Sequence, residues 1–127
     1  MKREAVDLSA LARFIADDLR NGRPARRALF RVHPGLLAQA DPTLLRAVVA
    51  TLLNNAWKAT RGRRPALIEV GSARQDGRAA FFVKDNGPGI EKAGMRLTFV
   101  ECLLERHGGR LWAESEAGSG ATFYFTV

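Results

Sequence analysis

The 127-residue sequence predicts an α+β fold: a two-layer α/β sandwich with helices on one face of a mixed, mostly antiparallel sheet. Three observations predict it. Helical and strand patterns follow one another in the order α-β-α-β-β-α-β-β. Two turn signals, Gln75-Asp76-Gly77 and Ala117-Gly118-Ser119-Gly120, each join neighbouring strand patterns into a hairpin. A mass of 13.9 kDa, with 46% hydrophobic and 26% charged residues, suits one soluble domain over residues 1–127.

The elements follow in order. The stretch "VDLSALARFIADDLR" places Leu8, Leu11, Ala12, Ile15 and Leu19 on one helical face. "NGRP" ends that helix, and Ala28, Phe30 and Val32 alternate in a strand pattern. A short apolar stretch after Pro34-Gly35 is left without an element. Asp41-Pro42 then marks a helix start, a capping carboxylate followed by proline at the first helical position, and the helix is expected to run from 42 to about 60. "ALIEVGSAR" and "RAAFFVKD" form the first hairpin. A helix is expected from about 94 to 107, with Leu97, Val100 and Leu104 on its buried face and Gly108-Gly109 at its end. "RLWAESE" and "ATFYFTV" close the chain as the second hairpin.

Composition narrows the classes of function. One cysteine, Cys102, excludes an intramolecular disulfide framework, and its apolar helical setting predicts a small buried hydrophobe. No apolar run reaches membrane-spanning length and the N-terminus has no signal-peptide core, so a cytoplasmic domain without membrane contact is expected. The net charge of +7 gathers in two groups, Arg20, Arg23, Arg26, Arg27, Arg31 and Arg61, Arg63, Arg64. Neither group interleaves with aromatic residues or sits in a DNA-binding helix pattern, which favours a solvated or acid-facing surface over a nucleic-acid groove.

Three polar features stand out. Thr51, Asn55 and Lys58 are spaced at i, i+4 and i+7, forming a stripe beside the apolar face Leu45, Val48, Val49, Leu52 and Ala56. An Asn oxygen and a Lys cation suit Mg²⁺ with phosphate oxygens, although such a stripe alone is more often a solvated face. The turn Asp85-Asn86-Gly87-Pro88-Gly89-Ile90 follows the apolar strand "AAFFV", and it sets a carboxylate able to accept from an amino group beside two glycines. A lone D-x-G-x-G is often only a turn. Gly118-Ser119-Gly120 with Thr122 on the next strand is equally ambiguous by itself.

Together and in this order, "LLNNAWKAT", "VKDNGPGI" and "RHGGRLWAESEAGSGATFYFTV" resemble the N, G1 and final glycine boxes of sensor histidine-kinase catalytic domains. These domains belong to the ATPase superfamily shared with gyrase and mismatch-repair proteins, and the resemblance covers nearly the whole chain. It implies a sandwich that holds ATP between helices and sheet. Asp85 would receive the adenine amino group, with Thr122 helping through water. Gly87 and Gly89 would let the backbone pass the nucleotide, Asn55 would ligate Mg²⁺, and Lys58 would meet phosphate or ribose oxygens. The reaction implied is phosphoryl transfer to a histidine on a separate dimerisation domain, with a response regulator as the further partner.

The chain departs from that pattern on the phosphate side. The family's lid carries an aromatic box and ends in a second glycine box, G-x-G-x-G-L. Here only Glu91, Lys92 and Ala93 lie between Ile90 and Gly94. With Leu97 set on the leucine of that box, Lys92, Gly94 and Arg96 fall on its glycine positions, so Gly94 alone matches. Thr51 replaces a first Asn, and Ala59 replaces an aromatic residue. His33 and His107 lack the setting of a phosphoacceptor, and no catalytic residue is assigned. Activity is therefore expected to be impaired, and the alternative is an inactive nucleotide-binding or docking module that regulates a two-component partner.

Overall fold

The computed structural model describes residues 2–88, 97–116 and 119–127. In chain order its elements are β1 (Glu4–Asp7), α1 (Leu8–Gly22), β2 (Ala28–Val32), β3 (Leu37–Ala40), α2 (Pro42–Ala59), β4 (Ala66–Gln75), β5 (Arg78–Asp85), α3 (Thr98–Arg106), β6 (Arg110–Glu116) and β7 (Gly120–Thr126).

Local chemistry sets the helix ends. The Asp7 carboxylate accepts from the Ala10 N–H at 2.9 Å, and Asp41 accepts from the Leu44 N–H at 3.0 Å, each satisfying a donor that its helix leaves open. Pro42 occupies the first turn of α2, where its missing N–H costs nothing. At the end of α3 the chain reverses through Gly108, whose φ of +80° favours glycine, and the Gly109 N–H donates back to the Leu104 carbonyl at 2.8 Å. The helix expected over 94 to 107 is observed from Thr98, and positions 94 to 96 lie outside the described residues.

The five-stranded sheet has the order β2-β4-β5-β7-β6. β2 runs parallel to β4 and the other neighbours are antiparallel, the mixed arrangement that the sequence predicts. β1 and β3 pair in a second, two-stranded antiparallel sheet that the sequence reading leaves unassigned. The core is built on α2, whose Leu45, Val48, Val49, Leu52, Leu53 and Ala56 are buried against Ile68, Val70, Phe81, Val83, Phe123 and Phe125 of the sheet. Leu8, Ala12 and Ile15 of α1, and Val100 and Leu104 of α3, complete the same cluster.

One expectation is corrected. Cys102 is exposed, not buried. The buried stripe of α3 runs through Val100 and Leu104, and a residue two positions past Val100 is turned roughly 200° from it at about 100° per residue, which carries Cys102 to solvent.

Leu52 is buried one turn before Asn55, so its loss tests how firmly α2 is seated. Leu52→Ala is expected to lower unfolding free energy by about 2–5 kcal/mol, read from the urea midpoint at unchanged m-value. A change below about 1 kcal/mol would show that α2 is not the central packing element.

Candidate functional site

Asp85 is the last residue of β5, on the helix-facing side with Phe81 and Val83, and only 4% of it is exposed. Its Oδ1 accepts from the Gly87 N–H at 2.8 Å, and the Ala121 N–H, opposite it in the β5–β7 ladder, is a second donor. Burial raises the carboxyl pKa above the ordinary Asp value, against the lowering effect of those two N–H groups.

The glycines beside it are required by the protein's own packing. A Cβ on Gly87 would lie 2.6 Å from the carbonyl oxygen of Ala59, the last residue of α2. A Cβ on Gly120 would lie 2.0 Å from the Asp85 carbonyl oxygen, and its φ of +103° is itself a glycine conformation. Asn86 ties the turn to β4. Its Oδ1 accepts from the Leu67 N–H at 2.8 Å, its Nδ2 donates to the Pro65 carbonyl at 3.2 Å, and its own N–H donates to the Leu67 carbonyl at 3.2 Å. Sequence reasoning gives Asn86, Gly120 and Ala121 no part in the site. An Asn following an Asp at a strand end is a turn signal that points to the first.

α2 brings the second group of residues to the same place. Gly87 packs against the carbonyl of Ala59, which follows Lys58 directly and lies one turn after Asn55, so the Asp85 turn abuts the C-terminal end of the helix that carries both residues. Asn55 Nδ2 is buried with no hydrogen-bond partner among the described residues. Buried amide donors are rarely left so, and an orphan at this position fits a ligand-facing side chain. Lys58 is exposed in the last turn of α2. The Thr51 hydroxyl donates to the Ala47 carbonyl at 2.8 Å, within its own helix.

Not every expected residue comes to this place. Thr122 pairs with Lys84, while Ala121 pairs with Asp85. Successive residues of a strand alternate between faces, so Thr122 faces away from the helices and away from the Asp85 carboxylate. The sequence reading is off by one residue here, and one residue changes the face. Gly89 and Gly94 lie outside the described residues, as do Lys92 and Arg96.

His33 and His107 are held structurally. His33 Nε2 contacts the Glu69 carboxylate. His107 is buried as the C-cap of α3, its N–H donates to the Leu104 carbonyl at 3.0 Å, and its own carbonyl accepts from Arg3. Burial, and secondarily Arg3, push its imidazole below the ordinary value. Its ring Nε2 accepts from the Asp41 N–H at 3.4 Å, so the residue joins the end of α3 to the start of α2. Trp57 is stacked on Phe30 and Trp112 on Tyr124. Among the described residues, no group of three or more His, Cys, Asp or Glu could hold a metal ion unaided, and no helix is long and apolar enough to cross a membrane.

The buried carboxylate at the end of β5, its turn abutting the end of the central helix, can be set beside known proteins of the same fold. Residues 40–127 match the family described as histidine kinase-, DNA gyrase B-, and HSP90-like ATPase, and the chain belongs to that family. It is 33% identical over 109 residues to Cyanobacterial phytochrome A of Nostoc, covering 69% of this chain and 14% of that protein. It is 31% identical over 117 residues to Sensor protein FixL of Bradyrhizobium diazoefficiens, covering 77% of this chain and 23% of that one. The chain thus spans less than a quarter of these curated relatives. Among solved structures, full-length ShkA in complex with AMPPNP superposes with a TM-score of 0.75 at 26% identity, covering 98% of this chain and 30% of ShkA.

The raised pKa of Asp85 fixes the sign of a stability prediction. The folded protein takes up a proton at Asp85 more readily than the unfolded chain, so this group's contribution to stability increases as pH falls through its folded pKa towards the ordinary Asp range. At neutral pH the buried charge is a cost, which an amide removes while still accepting from Gly87 and Ala121. Asp85→Asn is expected to melt at or above the wild-type temperature at pH 7 and to lose that part of the acid-side pH dependence. A clear drop in Tm at pH 7, followed by circular dichroism, would show that the carboxylate is a net stabiliser.

Proposed function

We propose that this chain is the ATP-binding catalytic domain of a two-component sensor histidine kinase, with phosphoryl transfer impaired by its shortened lid. The observation that carries the reading is the convergence of a buried carboxylate and an unpartnered Asn55 amide at the end of α2. The AMPPNP complex of ShkA, a structural relative, supports a nucleotide as the ligand.

In this reading Asp85 accepts from the exocyclic amino group of adenine, as only the ionised carboxylate can do with both oxygens. Gly87 forms part of the adenine wall; Gly89, read from the sequence as passing the nucleotide, and Gly94, the one glycine kept from the phosphate-side box, lie outside the described residues. Asn55 turns its amide oxygen to Mg²⁺, and Lys58 meets phosphate oxygens from its exposed position. The metal, when bound, neutralises phosphate charge. The donor set fits that ion, since one neutral oxygen ligand beside a cation leaves the remaining coordination to phosphate and water. Ala121 stands on the Asp85 side in place of Thr122. The acceptor is a histidine on a separate dimerisation domain, and a response regulator receives the phosphoryl group afterwards. A cytoplasmic location accompanies this reading.

A second reading is favoured by the same departures. With three residues between Ile90 and Gly94, Thr51 bonded to its own helix and Ala59 in place of an aromatic residue, the domain would hold adenine without turning ATP over and would act as a regulatory module.

Two measurements separate these readings. Calorimetry with ADP should give weak binding to the wild-type chain and about 5- to 150-fold weaker binding to Asp85→Asn, the equivalent of about 1–3 kcal/mol. Equal ADP affinity in the two proteins would remove Asp85 from the site. With radiolabelled ATP, no autophosphorylation of the isolated chain is expected, and only slow labelling of a supplied histidine-bearing helical hairpin, abolished in Asn55→Ala. Absence of any labelling with ADP binding retained selects the regulatory module. Labelling at the rate of a complete kinase would show that the short link is no impairment.

A further inference from the structure

The two arginine groups that are separate in sequence meet in space. Arg23, Arg26 and Arg27 from the α1–β2 connection and Arg61, Arg63 and Arg64 from the α2–β4 connection line one cavity of about 940 Å³. Lys58 lies on its wall, and among the described residues no Asp or Glu lines it.

Gathering these cations is unfavourable unless something else requires it. Arg26 has a structural reason to be there. Its guanidinium donates to the Trp57 carbonyl at 2.6 Å and to the Thr60 hydroxyl at 2.9 Å, capping the end of α2. Burial lowers its pKa, and the nearby Arg61 and Arg23 charges lower it further, so the cluster repels itself even in its structural member. Arg23, Arg27, Arg61 and Arg64 have no such reason. Among the described residues their side chains make no hydrogen bond or ion pair, so their donors are left to a ligand.

The chemistry of that ligand follows from the lining. Guanidinium groups grip phosphate and carboxylate through paired N–H donors, and the four on this cavity's lining that are unengaged among the described residues call for several anionic groups in a compact molecule. The volume lies within the roughly 300–1,000 Å³ range of small-molecule sites. Base stacking on the lining Trp57 ring is disfavoured, because the ring is already packed: the Arg26 guanidinium lies 3.8 Å from its centroid, and Phe30 stacks on it at 5.8 Å. Asp85, Gly87 and Asn55 do not line this cavity, and only Lys58 is common to it and the polar stripe of α2.

We propose that this cavity binds a compact polyphosphate anion at a site distinct from the Asp85 turn. The probe is inorganic tripolyphosphate, titrated calorimetrically into the full chain in buffer free of divalent metal. Binding is expected to weaken as salt rises and to fall at least tenfold in the triple variant Arg27→Gln, Arg61→Gln, Arg64→Gln. These side chains bond to nothing else among the described residues, so the triple variant should keep the wild-type circular dichroism and melt. The single variant Arg61→Gln provides a second reading, with a smaller loss expected. In Asp85→Asn the affinity should stay within twofold. Unchanged affinity in the arginine variants, or loss in Asp85→Asn, would overturn the proposal. So would a duplex DNA or a polyglutamate peptide that displaces tripolyphosphate and binds more tightly, since the surface would then belong to a nucleic acid or an acidic protein.

Discussion

The fold turns on a carboxylate buried where four backbone segments close together. Asp85 ends β5, and around it lie the Gly87 N–H, the start of β7 at Gly120 and Ala121, and, one contact away, the last carbonyl of α2. Each approach is too close for a side chain, so the glycines at 87 and 120 follow from the geometry around Asp85 and need no ligand to explain them. The carboxylate is the one member of this arrangement that packing does not explain. Among the described residues no cation accompanies it, two N–H donors only partly offset its desolvation, and its pKa rises accordingly. An apolar or amide side chain would fill the same space at lower cost.

α2 carries the consequences to the rest of the molecule. One face is wholly engaged in the core, which fixes the helix against the sheet and so holds Asn55 and Lys58 in place relative to Asp85. The last turn then divides two kinds of surface. On one side Ala59 receives the Asp85 turn; on the other Trp57 receives Phe30 and Arg26, and beyond them lies the arginine-lined cavity. The helix end is thus shared by a site built around a buried negative charge and a site built entirely from positive ones.

What could be read from the sequence, and what could not, follows from the range of the interactions involved. The helices and the two hairpins are local, set by caps such as Asp41-Pro42 and turns such as Gln75-Asp76-Gly77, and they stand where predicted. The β1–β3 pair escaped because four-residue strands such as "EAVD" and "LAQA" are too short to show a period, and their partners lie 30 or more residues apart. Asp85 and Asn55 were legible because motif and helical spacing are both local signals. Thr122 was misplaced because the face of a strand depends on register, and register was fixed only when Ala121 paired with Asp85. The meeting of the arginine groups, and the solvent face of Cys102, depend on how whole elements pack, which no short stretch encodes.

The condition of the two halves of the site bears on whether the nucleotide still matters to this chain. On the phosphate side Thr51 has turned its hydroxyl to its own helix, and Ala59 offers only a methyl group where the family places a ring. Those residues cost the fold nothing, and their state says little about use. Asp85 and Asn55 are different in kind. A buried carboxylate whose pKa is raised, and an amide nitrogen buried with no partner among the described residues, are both unfavourable without a ligand, and each is relieved by a ligand that supplies a donor to one and a polar partner to the other. A domain kept only as a docking surface has no physical need of either group. Their joint presence at the end of α2 therefore favours a chain that still binds the adenine end of a nucleotide, whatever has become of transfer at the other end.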